Sequence, residues 1–124
     1  MGNQIGTEGE KVIALHLQQK GYTLLVRNYR GKRGEIDLIA KKNNTVHFIE
    51  VKTMLHISWE NISYIVDIKK QRKITQTAKQ FILENRQYNS MDMQFDVAIL
   101  LTNPFLQIQP DIMFIENAFG ERND

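Results

Sequence analysis

The chain has no cysteine, two prolines, one tryptophan and no long apolar run. Without cysteine there is neither a disulfide framework nor a thiolate metal site. The three histidines, His16, His47 and His56, share no ligand spacing, so an imidazole metal site is not expected. His16 is expected to be exposed, and His47 to sit at the polar edge of a strand. The longest uninterrupted apolar stretch, Val97-Ala-Ile-Leu-Leu101, is far short of the roughly 20 residues of a membrane span. Residues 1–6 carry neither the basic nor the apolar segment of a secretory signal, which makes the cytoplasm the expected location. No Gly-rich phosphate loop and no local Ser/His/Asp signature is present. At 124 residues, without repeats or linkers, residues 1–124 are expected to form one domain.

What the chain does have is unevenly placed charge. The net charge is +2, yet residues 11–86 hold fifteen Lys/Arg against six Asp/Glu, whereas residues 87–124 hold one Arg against six acids. The basic residues gather at Arg27, Arg30, Lys32 and Arg33, and again at Lys69, Lys70, Arg72, Lys73 and Lys79. Such patches suit a polyanion, because phosphate neutralisation supplies most non-specific nucleic-acid affinity. Two solvated surfaces are the alternative.

Thr7-Glu-Gly-Glu10 reads as a capping box opening a helix that runs to about Lys20 and stops at Gly21. Glu10, Ile13, Ala14 and Leu17 share its inward stripe. Residues 23–27 read as a strand, and 28–34 as a basic loop. Residues 54–66 are ambiguous, with 63–66 a short strand or a loop. A helix is expected over 67–85, with Ile74, Ala78, Phe81 and Ile82 inward. Strands follow at 94–101 and 111–116, with Pro104 and Pro110 in the loop between them. The order α-β-β-β-α-β-β predicts an α/β fold with a mixed central sheet flanked by helices.

Two acidic clusters on one hairpin carry the chemistry. Glu35-Ile-Asp-Leu-Ile-Ala40 and Val46-His-Phe-Ile-Glu-Val-Lys52 are apolar strands interrupted by carboxylates, joined by a polar turn. A two-residue loop at Asn43-Asn44 pairs residue 42 with 45. Asp37 then faces Glu50, and Glu35 faces Lys52. Like charges placed directly opposite are destabilising, so the pair Asp37/Glu50 calls for a compensating cation. Mg²⁺ prefers oxygen ligands and is typically held by one or two carboxylates plus substrate phosphate. Asp37 and Glu50 meet that demand, and the Val51 carbonyl is a candidate third ligand. Lys52, two residues beyond Glu50, shares its strand face. It can serve an attacking water or stabilise developing negative charge. A plain ion-pair network, Glu35 with Lys52 and two solvated acids, is the alternative.

Asp37…Glu50-Val-Lys52 resembles the PD-(D/E)-x-K signature of restriction-endonuclease-like nucleases. The wider string is more particular. Arg27-Asn-Tyr-Arg30, Gly34-Glu-Ile-Asp-Leu-Ile-Ala40, Phe48-Ile-Glu-Val-Lys-Thr53, Ile68-Lys-Lys-Gln-Arg-Lys-Ile74, Gln94-Phe-Asp-Val-Ala98 and Ile115-Glu-Asn-Ala-Phe119 resemble the YraN-type small bacterial proteins. That family is largely uncharacterised and is similar in fold to archaeal Holliday-junction resolvases. The resemblance implies a restriction-endonuclease-like core with catalytic Asp37, Glu50 and Lys52. It adds Glu10 as an acid able to complete the metal site, and Gln71 as the Gln that follows the core. Glu35 would support Lys52 from behind, and Asp96 reads as structural. The chain departs from the pattern at Met54, where family members commonly carry Arg, and at Ile36, where the fold's usual Pro precedes the first acid.

The leading expectation is therefore a Mg²⁺- or Mn²⁺-dependent endonuclease acting on DNA, with branched or damaged DNA as candidate forms. Arg30, Lys32, Arg33, Lys69, Lys70, Arg72 and Lys73 would contact nucleic acid, and Trp59 and Tyr64 are candidates for base stacking. A four-way-junction substrate would require two sites and hence a homodimer. The rivals are a non-catalytic nucleic-acid-binding module that keeps the fold, and an interaction protein whose acidic pocket is an ion-pair network.

Overall fold

The computed structural model describes residues 4–56 and 66–124. The elements, in chain order, are α1 (Gln4–Gln19), β1 (Thr23–Arg30), β2 (Glu35–Lys42), β3 (Thr45–Thr53), α2 (Ile68–Glu84), a short 3₁₀ turn (Arg86–Tyr88), β4 (Asp92–Leu100) and β5 (Ile112–Phe119). The five strands form one mixed sheet in the order β1-β2-β3-β4-β5. All neighbours are antiparallel except β3 and β4, and a parallel pair needs a long crossover, within which α2 lies.

Two apolar clusters sandwich the sheet. Ile13, Ala14 and Leu17 of α1 meet Leu38, Ile49 and Ala98, while Ile74, Ala78 and Phe81 of α2 meet Ile39, Phe48 and Phe95. β3 and β4 are thus buried on both faces, which is why they read as nearly continuous apolar runs. Among the described residues no helix is long and apolar enough to cross a membrane. Trp59 and Tyr64 lie outside the described residues, as does most of the 54–66 stretch.

The stop at Gly21 is as expected. Its φ of +93° is the left-handed C′ geometry, and Tyr22 N–H reaches back to the Leu17 carbonyl at 3.0 Å. The start of α1 is not. The helix is already formed at Gln4, so Thr7 and Glu10 sit inside it, and Thr7 is not its cap. α2 begins as expected, with Asp67 accepting the Lys70 backbone N–H at 2.9 Å. β1 runs on to Arg30, three residues beyond the expected strand. His47 is buried rather than at an edge. Its Nδ1 lies 2.7 Å from Asp96 Oδ2, and its ring meets Tyr22 edge-on at 5.0 Å. Asp96, fully buried, also accepts from Gln94 Nε2 and the Asn117 N–H, the structural role expected of it. His16 is half-buried on α1.

One close approach fixes α1 against the end of β3. A Cβ built on Gly9 would stand 2.1 Å from Thr53 Oγ1, while every other neighbour is at 3.5 Å or beyond. That hydroxyl is itself buried with no hydrogen-bond partner among the described residues. Gly9→Ala should therefore lower stability by about 1–3 kcal/mol through overpacking, despite Ala's better helix propensity. Adding Thr53→Ala removes both the clash and the orphaned hydroxyl, so the double variant should recover at least wild-type stability. Urea denaturation of the four proteins measures the coupling, and additive single effects would contradict it.

Candidate metal and nucleic-acid site

The β2–β3 ladder runs from Lys42↔Thr45 to Leu38↔Ile49, the register expected for a turn at Asn43-Asn44, and Asn43 takes φ 55°. Beyond Leu38 the backbone pairing stops. The Val51 N–H is taken instead by Asp37 Oδ2, at 2.8 Å. Continuing the register places Asp37 opposite Glu50, and Glu35 opposite Lys52. On the other side of β2, Arg27↔Leu38 and Tyr29↔Ile36 place Asn28 opposite Asp37, and Arg30 pairs with Glu35. Two rungs therefore cross three strands: Asn28–Asp37–Glu50, then Arg30–Glu35–Lys52. They border a cavity of about 520 Å³, closed by Glu10 from α1 and by Lys70 and Lys73 from the first turns of α2.

Glu50 is only 6 % exposed, yet it is paired twice. The Lys70 ammonium bonds its Oε2, and Lys52 Nζ stands 3.7 Å from the same oxygen. Burial opposes the charge on Lys70, but its bond to Glu50 and the attraction of Asp37 outweigh that and raise its pKa. Among the described residues Asp37 feels Lys70 from a distance but makes no direct ion pair. Burial, a hydrogen bond to Glu50 and repulsion from Glu50 push its carboxyl up to about 8, against the modest pull of the Val51 N–H. Glu10 is also raised, first by burial and then by Glu35 and Glu50, while Asn28 and Arg27 pull the other way.

Among the described residues no three His, Asp or Glu side chains already stand at ligand distances. Glu10, Asp37 and Glu50 instead line one cavity from three elements. Two facing carboxylates, the Asp37 carboxyl pushed up by burial and by Glu50, could hold a hard cation through oxygen, such as Mg²⁺ or Mn²⁺. Val51 also lines the cavity, its N–H bonded to Asp37.

The structure gathers most of the residues singled out by sequence and separates the rest. Asp37, Glu50, Val51, Lys52, Glu10, Glu35, Arg30, Lys70 and Lys73 line one cavity. Within it Glu35 pairs with Arg30 at 3.3 Å rather than with Lys52, because β1 stands closer to it than the splayed end of β3. Gln71 is not at the cavity. Its amide donates to the Val66 carbonyl and accepts from Arg122 Nε, clasping the C-terminal tail to the start of α2. Arg72 turns to Asp124 on that tail, Lys69 is exposed on α2, and Lys32 and Arg33 lie beyond the cavity. Met54 packs against the α2-side core, using for burial the position where Arg was expected.

Asn28 is the site residue that sequence reasoning left without a role. Its φ of 54° is left-handed in mid-strand, an arrangement that Asn tolerates better than most residues. Its side chain hydrogen-bonds Glu10 and lines the cavity. The left-handed residue thus carries an orienting partner for Glu10 without breaking the ladder. Asn28→Gly keeps that backbone without strain and removes the carboxamide. Mn²⁺ affinity should fall about tenfold, as for other partners that orient a ligand, with the melting temperature nearly unchanged. Unaltered affinity would remove Glu10 and Asn28 from the site.

The family model described as "Uncharacterised protein family UPF0102" matches residues 9–100. A UPF0102 protein of Treponema denticola is 40% identical over 98% of this chain and 99% of the relative's length. Those of Treponema pallidum (strain Nichols) and Clostridium botulinum (strain 657) are 40% and 39% identical, over 94% and 93% of this chain and 93% of each relative. The resemblance carried by the Arg27–Arg30, Gly34–Ala40 and Phe48–Thr53 strings thus extends over nearly the whole molecule, and the chain belongs to the UPF0102 family.

Proposed function

We propose that the chain is a Mg²⁺- or Mn²⁺-dependent endonuclease that hydrolyses phosphodiester bonds in DNA, built on a restriction-endonuclease-like core similar to that of Holliday-junction resolvases. The observation that carries this reading is the rung Asn28–Asp37–Glu50, with the Asp37 carboxyl pushed up by burial and by Glu50 and with Lys52 one rung away in the same cavity. A divalent cation there would neutralise charge on phosphate oxygens and acidify a water. Asp37 and Glu50 would hold it, and Glu10, oriented by Asn28, would complete the oxygen donors. Lys52 accepts a proton from the attacking water or stabilises the charge that builds as the new P–O bond forms. The P–O bond to the leaving sugar oxygen then breaks and that oxygen takes up a proton from solvent or from Lys52, giving a phosphomonoester and a free hydroxyl. Arg30 and Lys73, at the cavity rim, receive flanking phosphates.

Lys70 favours the second reading, a non-catalytic nucleic-acid-binding module. Its ammonium already sits on Glu50, as a built-in cation would. A panel of single strands, duplexes, flaps and four-way junctions, incubated with Mg²⁺ or Mn²⁺, separates the two. The nuclease reading expects metal-dependent cutting of at least one substrate, abolished in Asp37→Ala. Binding without cutting under either metal would leave the module. Junction cutting would in turn require a homodimer, checked by sedimentation.

A further inference from the structure

Residues 31–34 join β1 to β2 and lie directly on the middle of α2. A Cβ on Gly31 would stand 2.7 Å from Gln80 Oε1 and 3.2 Å from Thr77 Cγ2, and one on Gly34 would stand 3.3 Å from Thr77 Oγ1. The Lys32 N–H donates to Gln80 Oε1 at 2.8 Å, locking the loop down. Because the two glycines let the loop sit so close, it divides the surface beside α2 into two hollows. One is the cavity already described, with Gly34 and Lys73 in its wall. The other, of about 490 Å³, is walled by Lys32, Arg33 and Lys79, with Gln80 at the loop and Leu83 and Glu84 at its far end.

Among the described residues, the basic side chains of the second hollow make no direct ion pair, although Lys32 attracts the Glu84 carboxylate at its far end. Arg30, Lys70 and Arg72 each pair with a carboxylate, but among the described residues Lys32, Arg33 and Lys79 have no ion-pair partner within 4.0 Å. Lys79 contacts only the neutral Asn123 side chain. Glu84, the acid nearby, is bonded to the Tyr29 hydroxyl and Gln80 Nε2. From Lys73 to Gln80 the helix rises about 10 Å, roughly three phosphates of a stacked strand at about 3.4 Å each.

We propose that this second hollow is a phosphate-binding subsite for the same nucleic-acid strand. The strand would leave the carboxylate cavity, cross the 31–34 loop and be held by Lys32, Arg33 and Lys79. The inference rests on the nuclease reading and narrows its substrate: a polynucleotide extending several residues to one side of the scissile bond, not a dinucleotide or a short end.

The test measures fluorescence anisotropy of single-stranded and duplex oligonucleotides of three, six and twelve nucleotides, in Ca²⁺ to suppress cutting. The proteins are wild type and the triple variant Lys32→Gln, Arg33→Gln, Lys79→Gln, which alters exposed side chains only. Wild-type affinity should rise at least tenfold from three to twelve nucleotides. The triple variant should lose most of that gain while still binding the trimer and Mn²⁺ as wild type does. Its slope of log affinity against log salt should be shallower by about 2 on single strands, for three lost phosphate contacts. Equal losses at every length, or none, would overturn the subsite and leave the nuclease reading standing. Cutting that is absent with every substrate would instead remove the reading on which it rests.

Discussion

Lys52→Met should lower the rate of metal-dependent cleavage by two to four orders of magnitude while leaving Mn²⁺ affinity and DNA affinity in Ca²⁺ within about threefold of wild type. That range is what a positioned proton-transfer group contributes. The geometry sets the split between chemistry and binding. Lys52 Nζ is 3.7 Å from Glu50 Oε2, a contact that Lys70 makes more closely from the other side, so Glu50 keeps a cationic partner when Lys52 is gone. Lys52 stands one rung from Asp37 and Glu50 and is 40 % exposed, close enough to a phosphate in the cavity to act on its water and open enough to exchange a proton with solvent. Lys52→Arg divides the two roles. Arginine keeps the charge but does not deprotonate. Substantial activity in Lys52→Arg would assign charge stabilisation, and loss as deep as in Lys52→Met would assign proton transfer. If Lys52→Met cuts as fast as wild type, Lys52 has no part in the chemistry.

The same hairpin shows how far the sequence could be read. Asn43-Asn44 named a two-residue turn, and that alone set the register through which Asp37 faces Glu50. The inward stripes of both helices were legible for the same reason, a strict period matched to one apolar face. Where two mechanisms share a spacing, the reading failed. Thr7-x-x-Glu10 has capping-box spacing, but helix-interior residues can have it too, and Glu10 belongs to the cavity. His47 was misplaced because alternation loses its meaning in a strand buried on both faces. Within the run Lys69 to Lys73, composition does not say which ammonium turns inward. Lys70 is one helical turn before Ile74, and that spacing was the available signal. Asn28 carried a signal too, since Asn is enriched where φ is positive, but nothing local shows that the strand continues past it to Arg30.

Cation binding should strengthen about 50-fold between pH 6 and pH 8 and then level off. Asp37 is pushed up to about 8, so below that pH a cation must first expel its proton, which costs about a factor of ten per pH unit. Calorimetry with Mn²⁺ near pH 6.5, in two buffers of different ionisation enthalpy, should show close to one proton released per ion. Stability of the metal-free protein should move in the opposite direction. Between the unfolded value of about 3.9 and the folded value near 8, the native state binds more protons than the unfolded chain. The contribution of Asp37 is thus fully present below pH 4 and is lost as pH rises through 8. Glu50→Gln removes a main cause of the shift, so both curves should slide to lower pH. Asp37→Asn should flatten the affected stretch of each, and its metal-free form should be the more stable above pH 8, where wild type carries two facing charges. Affinity that does not change from pH 6 to 8 would mean that Asp37 is already ionised there and that a cation has no proton to expel from it.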